Sequence, residues 1–292
     1  MRGLSTAQLS GLGTAKISAL EAVDVGALVS AQWRGFSTAQ LAQFNTVQVA
    51  SIGSSAIVGL STEQVDALST TQLAALTSVN IRGLSSAQLG AIATSKITAL
   101  ETADVIAIGS LQIQGFTEGQ IRQFTADQIT AFSAAAVKGL FTAQLAALGT
   151  AKISALESTD IAALGSAQLR GFSTAQFEQF SSAQIGAISS TGVSGLSTSQ
   201  VDSLGPTQLS ALSSSAMRGL SDTQLQAIAT AKISAIESLD LTALTSAQMG
   251  GFSSNQVSQL TASQLPGINA INIKGLTPTQ VGAFTTLQLQ TL

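Results

Sequence analysis

The chain has 292 residues, of which 45% are hydrophobic and only 9% are charged, with a formal net charge of −3. Ordinary globular proteins are about one-quarter charged, so the surface here must consist largely of Ser, Thr, Gln, Ala and Gly. The scattered basic residues exclude nucleic acid as an expected partner, and the absence of Cys and His removes the usual zinc, iron–sulfur, thiol and imidazole chemistries.

An octapeptide repeat runs through the whole chain. An apolar residue occurs at every eighth position from Leu4 to Leu292, which makes 36 intervals, and a second apolar residue follows each by five, from Leu9 to Leu289. The consensus is (Leu/Phe/Ile)-(Ser/Thr)-(Thr/Ser)-x-Gln-(Leu/Ile/Val)-x-(Ala/Gly). A short fixed period predicts an array in which each unit buries its apolar face against its neighbours. Length alone would suggest about two domains, but the uninterrupted period predicts one continuous solenoid over residues 1–292.

Each octad carries the signals of a short capped helix. With Ser37 as the N-cap, Gln40 falls at the third helical position, N3, where its amide can reach back to the N–H of the cap. Phe36 and Leu41 then occupy the two positions of a hydrophobic staple. The small residue before the next apolar one is usually Gly or Ala, and Gly can supply a left-handed helix end. The octad therefore predicts about one to one and a half turns of helix followed by a corner, and an all-α superhelix.

A β-solenoid is the alternative fold. Thr, Val and Ile favour strands, and short-period parallel β-helices exist. The apolar spacings of five and three are both odd, however, so strict alternation would send the two apolar residues to opposite faces unless a corner intervened each time. The capping pattern favours helices, and the β-solenoid stays open as the alternative.

A longer period is superimposed on the octad. One octad type carries Lys in place of Gln, at Lys16, Lys96, Lys152 and Lys232. The sequence around Lys16 returns almost unchanged around Lys152, 17 octads later, and the weaker copies divide this interval into 10 and 7 octads. We therefore predict superrepeats at 13–148 and 149–284, with 285–292 opening a third.

A glycine marker, usually preceded by a basic or polar residue, indicates the number of octads per superhelical turn. It occurs at intervals of three or four octads, at Gly3, Gly35, Gly59, Gly83, Gly115, Gly139, Gly171, Gly195, Gly219, Gly251 and Gly275. Alternation of this kind is typical of a stripe on a helix with a non-integral number of units per turn. Five turns in 17 octads give 3.4 octads, or about 27 residues, per turn. The Gly residues predict close contact between successive turns; a lateral docking line for a partner chain is the alternative.

Four acidic pairs replace the cap and N3 residues together: Glu21 and Asp24, Glu101 and Asp104, Glu157 and Asp160, and Glu237 and Asp240. A helix N-terminus favours negative charge, and the Lys that precedes each pair lies close enough in sequence for an ion pair. Four equivalent copies indicate capping and charge balance rather than catalysis. A shared calcium ion is the alternative, although the Asp- and Gly-rich loops of calcium-binding repeats are missing. We predict no catalytic, cofactor-binding or metal-binding residue, and we do not expect an enzyme.

Other substitutions in the octad predict packing roles. Gln replaces the small residue at four places and is expected to hydrogen-bond a neighbouring corner, at Gln43, Gln123, Gln179 and Gln259. Trp33 and the Phe residues are expected in the core, the latter at Phe36, Phe44, Phe116, Phe124, Phe132, Phe172 and Phe180. No apolar run approaches the ~18 residues that span a bilayer, and the segment from Met1 to Ser5 does not have the pattern of a signal peptide. Membrane insertion is not expected.

The run from Leu60 to Leu76 reads Leu-Ser-Thr-Glu-Gln-Val-Asp-Ala-Leu-Ser-Thr-Thr-Gln-Leu-Ala-Ala-Leu. It resembles the octapeptide tracts of very large bacterial surface or secreted, adhesin-like proteins, and the resemblance extends over the whole chain. It implies a long spacer or stalk in an extracellular or cell-surface location, and it transfers no binding residue.

These observations give two functional hypotheses. The first is a structural protein, a repeat segment that extends or stiffens a larger surface protein or stacks end to end into filaments, because the chain begins and ends within the octad pattern. Its expected partners are neighbouring repeats of a larger parent chain or further copies of itself. The second is a binding module whose regular rows of Ser, Thr and Gln present a flat surface to glycan, ice or mineral.

Overall fold

The computed structural model describes residues 1–291, and all regular structure in this range is helical. No strand occurs in these residues, so the all-α prediction is confirmed and the β-solenoid alternative is wrong. None of the described helices has the length and apolar character that a bilayer crossing requires.

The chain falls into two compact units, Met1–Leu148 and Gly149–Leu292. The boundary between them is the one at which the second predicted superrepeat begins. Gly149 opens the second unit with a φ of +72°, a left-handed backbone conformation that suits glycine. The single uninterrupted solenoid and its superrepeats stay predictions, and each unit is described by itself below.

The first unit contains a helical segment in almost every octad. The α-helices are Thr6–Ser10, Thr14–Ile17, Ala22–Gly26, Ser30–Trp33, Thr38–Leu41, Thr46–Ala50, Ser54–Ile57, Thr62–Asp66, Thr70–Ala74, Ser78–Gly83, Ser86–Ala91, Thr102–Val105, Ser110–Ile113, Glu118–Gln123, Ala126–Thr130, Ala134–Gly139 and Thr142–Ala147. The segment Thr94–Ala99 is a 3-10 helix.

The second unit repeats this organisation. Its α-helices are Ser158–Ala163, Ser166–Arg170, Thr174–Phe177, Ser182–Gly186, Ser190–Val193, Thr198–Ser203, Pro206–Leu209, Ser214–Gly219, Asp222–Ala227, Ser238–Ala243, Ser246–Gly250, Ser254–Ser258, Pro278–Val281 and Thr286–Leu289. Its 3-10 helices are Thr150–Ala155, Thr230–Ala235, Leu265–Gly267 and Asn272–Gly275.

The helix Thr38–Leu41 shows why an octad folds this way. Ser37 has extended backbone angles, its Oγ accepts from the N–H of Gln40, and the Gln40 side chain accepts from the N–H of Ser37. This capping box satisfies two backbone donors that a helix start leaves unpaired. The prediction of a capped helix of about one turn is confirmed in this octad. Helices this short are unstable alone in water, so tertiary packing must hold them.

The corners between helices do not use a left-handed residue. Gly11, for example, ends its helix with φ −75° and ψ −8°, which is ordinary right-handed helical backbone. Among residues 1–291 a positive φ occurs at Gly149 alone. The expectation that corner glycines supply left-handed helix ends is therefore wrong, and their role is to allow close contact between turns, as described below.

The core of each unit consists of the two apolar positions of the octad. Trp33 is fully buried, and its ring packs against Phe36 and Phe44 at centroid distances of 5.4 and 5.5 Å. The seven Phe residues predicted for the core are all buried. Burial of one large apolar side chain stabilises a fold by about 1.5–3 kcal/mol, and this contribution recurs twice in most octads.

Successive turns of each unit pack on one another. The helix Ser190–Val193 packs against Ser214–Gly219, which begins three octads later, and Ser110–Ile113 packs against Ala134–Gly139 at the same separation. Hydrogen bonds between turns join residues 28 and 31 apart. The predicted value is about 27 residues per turn. It lies between the three octads that separate the packed helices and the 28 to 31 residues that separate the hydrogen-bonded pairs.

Candidate functional site

The most regular feature of the two units is a row of buried Gln side chains that each join two turns. The Oε1 atom of Gln40 accepts from the N–H of Ser37 at 2.7 Å, which is the predicted capping bond. Its Nε2 atom donates to the carbonyl oxygens of Leu9 at 2.9 Å and Leu12 at 2.7 Å. These carbonyls lie at the end of a helix in the preceding turn. One amide therefore caps the start of its own helix and the end of another.

We call this arrangement the glutamine ladder. In the first unit the Nε2 atom donates to the carbonyl 28 residues earlier at Gln32, Gln40, Gln48, Gln64, Gln72, Gln88, Gln112, Gln120, Gln128 and Gln144. In the second unit the same bond occurs at Gln184, Gln200, Gln208, Gln224, Gln248, Gln256, Gln264, Gln280 and Gln288. A typical hydrogen bond contributes about 0.5–1.5 kcal/mol, but a buried group left unpaired costs more.

The capping half of the ladder was predicted from the sequence, and the donor half was not. The absence of Glu from the N3 positions was the available signal. A capping box accepts Glu as well as Gln, and the negative charge of Glu suits a helix start. Only an amide combines the acceptor for the cap with a donor for the preceding turn. The consistent use of Gln therefore indicated a second partner.

Two octads carry Asn at the position that Gln occupies in most octads. The Oδ1 atom of Asn272 accepts from the N–H of Asn269 at 2.8 Å, and its Nδ2 atom donates to the carbonyl of Leu241 at 2.8 Å. Asn80 likewise accepts from the N–H of Thr77 at 2.7 Å and donates to the carbonyl of Ile52. The shorter amide thus makes both kinds of bond, one to the N–H three residues earlier and one to the preceding turn.

A Lys and an Asp together replace Gln in other octads. Lys96 occupies N3, and its Nζ atom donates to the carbonyls of Asp66 and Leu68 in the preceding turn, the latter at 3.1 Å. Lys has no acceptor, and Asp66 supplies it: its Oδ1 accepts from the N–H of Ala93 at 2.9 Å and lies 3.7 Å from Lys96 Nζ. Lys232 pairs with Asp202 in the same way. The expected pairing of these Lys residues with the Glu and Asp that follow them is wrong at Lys96 and Lys232.

We predict that Asp66 and Lys96 can be replaced by Ala and Gln with little loss of stability only when both are replaced together. Asp66→Ala leaves the N–H of Ala93 unpaired, and Lys96→Gln leaves the half-exposed Asp66 without its counterion, so each is expected to cost about 1 kcal/mol or less. The double substitution restores the usual Gln arrangement and is expected to cost less than the sum of the two. Urea unfolding in a double-mutant cycle measures the coupling. Additive effects would contradict the proposed exchange.

Most glycines of the marker lie at the contact between turns, as predicted, whereas a Cβ added to Gly3 would meet nothing within 4 Å. A Cβ atom added to Gly35 would come within 2.7 Å of the carbonyl oxygen and 2.8 Å of the Cα of Thr6, in the preceding turn. The same backbone contact occurs at Gly59, Gly83, Gly115, Gly139, Gly195, Gly219 and Gly275. The basic residues beside several of these glycines are exposed, at Arg34, Arg82, Lys138, Arg218 and Lys274. A lateral docking line along them stays a prediction.

The acidic pairs occupy the predicted cap and N3 positions. Glu157 has extended N-cap angles, and its N–H donates to Asp160 Oδ2 at 2.8 Å. Asp104, Asp160 and Asp240 are buried, and burial raises the pKa of each carboxyl. In residues 1–291 no group of three or more acidic side chains is placed to hold a metal ion.

The predicted surface rows differ in their exposure. Gln40 is 2% exposed and most other N3 Gln side chains are similarly buried, so the rows that can contact a ligand consist of Ser and Thr. Ser37 and Thr38 are exposed, for example. The four Gln residues expected at corner contacts are also exposed, at Gln43, Gln123, Gln179 and Gln259.

Comparison with known families identifies the repeat type in four segments. A family model matches residues 17–54, 50–78, 153–190 and 233–268, just under half of the chain. These segments match the ALTTAQ repeat. The first match begins at residue 17 and the third at residue 153, so their spacing is the 17 octads of the predicted superrepeat. A comparison with curated proteins gives no match.

The letters of the ALTTAQ repeat correspond to the structural positions of the octad. Ala67-Leu68-Ser69-Thr70-Thr71-Gln72 follows the same order, with a small corner residue, a staple residue, an N-cap, two helical positions and the N3 glutamine. The family match and the helical architecture together indicate a repeat protein, and the family suggests a structural rather than a catalytic role.

Proposed function

We propose that the chain is a structural scaffold, a repeat segment that serves as a spacer or stalk in a large bacterial surface or secreted protein. The glutamine ladder carries this proposal. Its bonds repeat from turn to turn, for example from Gln72 to Leu41 and Phe44 and from Gln256 to Leu225 and Ile228. In such an array the stability is approximately a sum of unit terms and nearest-neighbour terms, so added octads lengthen it without a change of design.

End-to-end stacking into filaments is part of the same proposal. The side chain of Gln8 is exposed, and its Oε1 accepts from the N–H of Ser5 at 2.9 Å. Its amide is of the kind that joins turns elsewhere in the ladder. A preceding repeat of a longer parent chain, or the last turn of another copy, could therefore dock on it with the bonds already used within each unit. Heterologous contacts of this kind generate open filaments.

We predict that duplicating residues 149–284 in tandem lengthens the molecule in proportion to the added octads. The insertion preserves the octad register and adds one superrepeat. Electron microscopy of the purified chains is expected to show a longer particle of unchanged width, and end-to-end stacking is expected to give multiples of the single-chain length. The matched control is the same insertion with its N3 Gln residues changed to Ala. A duplicated chain with an unchanged maximum dimension would contradict the spacer role.

A further inference from the structure

Asp replaces Gln at the ladder position in Asp104 and Asp240, which are 5% and 2% exposed. This replacement removes a donor, because an ionised carboxylate can only accept hydrogen bonds. At the same position the Gln and Asn side chains donate to carbonyl oxygens of the preceding turn. The ladder position thus calls for a hydrogen-bond donor, which a carboxylate cannot supply.

The two Asn residues of the ladder show what a side chain of this length does. Asn and Asp have the same shape, and Asn272 accepts from the N–H three residues earlier and donates to the carbonyl 31 residues earlier. Asn80 donates to the carbonyl 28 residues earlier. A protonated Asp has one O–H donor and one acceptor oxygen, so it reproduces the hydrogen bonding of Asn, whereas the ionised form does not.

The surroundings of Asp240 fit the protonated form. Its Oδ1 accepts from Ser214 Oγ, a residue of the preceding turn, at 2.8 Å. Its Oδ2 is buried and lacks a hydrogen-bond partner among the described residues. A buried, unpartnered carboxylate oxygen is costly, and it is relieved when the atom carries a proton and donates it. The carbonyls that correspond to those bound by the Asn residues belong to Leu209 and Leu212.

We propose that Asp104 and Asp240 take part in the glutamine ladder only when their carboxyl groups are protonated. When protonated, each donates across to a backbone carbonyl of the preceding turn and holds the two turns together. When ionised, each lacks this bond and faces carbonyl oxygens with a negative charge. Mild acid therefore tightens the contact between these turns, and neutral pH loosens it.

Burial and neighbouring negative charges favour the protonated form of both carboxyls. Burial and then the nearby charge of Glu101 raise the pKa of Asp104 to about 6. Burial raises the pKa of Asp240, with a further contribution from the charge of Glu237, while the hydrogen bond from Ser214 opposes the shift. A carboxyl whose pKa is raised on folding contributes stability below its unfolded value, near 4, and loses it as the pH rises through the folded value. For Asp104 this window lies between about pH 4 and pH 6.

Other charged groups lie on the elements packed against these helices. The helix of Asp104 packs against Ser78–Gly83, which carries Arg82, and Ala126–Thr130, which carries Asp127. The helix of Asp240 packs against Ser214–Gly219, which carries Arg218, and against the uncharged segment Leu265–Gly267. Arg82, Asp127 and Arg218 are exposed, so solvent screens their charges more than those of the buried carboxyls.

The test compares the full chain with the Asp104→Asn/Asp240→Asn variant in urea unfolding from about pH 4.5 to 7.5. Over this range we expect the folding equilibrium constant of the parent chain to fall by about tenfold or more relative to the variant. Asn80→Asp is expected to introduce the same loss at neutral pH and to recover in acid. Asp127→Asn, which changes an exposed acid, is the matched control and is expected to leave the pH dependence unchanged.

Infrared difference spectra provide a readout that does not depend on unfolding. We expect the stretch of protonated carboxyls in the parent chain at about pH 5, above the usual Asp pKa of about 3.9, and a weaker band in the double Asn variant, in which Asp160, whose pKa burial also raises, still contributes. Parallel pH profiles for the two chains, or a band of equal strength in both, would overturn the proposal. Stabilisation at neutral pH by added calcium that disappears in the Asn variant would also overturn it, because the site would then bind a cation rather than a proton.

Discussion

Replacement of Gly115 by Ala is expected to destabilise the first unit by about 3 kcal/mol. The added Cβ would come within 2.7 Å of the Cα of Ser86, in the preceding turn. This neighbour is backbone, which cannot rotate away as the end of a side chain could. The two turns must therefore separate locally, and their separation weakens the burial of the adjacent core residues as well as the bond from Gln120 to the carbonyl of Ile92.

A matched control lies four residues further along the chain. Gly119 is the second residue of the helix Glu118–Gln123, and a Cβ added there would meet its nearest neighbour, Thr94 Oγ1, at 3.7 Å, which is ordinary van der Waals contact. Ala is about 1 kcal/mol more favourable than Gly within a helix. Gly119→Ala is thus expected to be neutral or stabilising. Equilibrium urea unfolding followed by circular dichroism measures both variants, and equal effects would refute close backbone contact as the role of Gly115.

Replacement of Gln72 by Ala is expected to destabilise the same unit by about 3 kcal/mol. The Gln72 side chain accepts from the N–H of Ser69 at 2.9 Å and donates to the carbonyls of Leu41 at 2.8 Å and Phe44 at 2.9 Å. Its removal leaves the two buried carbonyls, and the N–H of the exposed residue Ser69, without this partner. Each buried group left unpaired costs about 1–3 kcal/mol.

Gln8→Ala separates the capping bond of the ladder residues from their bonds to the preceding turn. Gln8 makes the capping bond to Ser5, but it is exposed, so water can replace its side chain. Loss of a helix cap interaction costs about 1 kcal/mol, and we expect no more than this. Unfolding midpoints of the two variants give the comparison. If Gln72→Ala cost as little as Gln8→Ala, the bonds to the preceding turn would contribute little to stability, and the structural role proposed for the ladder would fail.

The local part of the fold could be predicted from the sequence because its causes lie within one octad. The cap residue Ser37 and the amide of Gln40 are three positions apart, and their reciprocal hydrogen bonds follow from helix geometry. Trp33 and the Phe residues were expected in the core because they occupy the two apolar positions of the period. The contact at the glycine marker was predicted from the small size of Gly, and the alternation of three and four octads indicated the number of octads per turn.

The candidate site was predicted less completely because half of its bonds join residues about one superhelical turn apart. Asp66 was not recognised as the partner of Ala93 and Lys96, since they are 27 and 30 residues away in the chain. The Lys residues were instead assigned to the acids nearest in sequence. Sequence proximity favours such assignments. In the fold, however, packing between neighbouring turns brings together octads that are far apart in the chain.

By itself the sequence determined the helical octad, its cap and its buried positions, because these depend on hydrogen bonds and apolar spacings over three to eight residues, and the spacing of the glycine marker indicated the approximate number of octads per turn. Only the tertiary structure decided which carbonyls Gln40 binds, which acid accompanies Lys96, and that Asp240 has an unpartnered buried oxygen. The physical reason is that the offset of one turn against the next is a fraction of an octad. A side chain at N3 therefore meets the end of a helix 28 to 31 residues earlier, and the period of eight does not specify that partner.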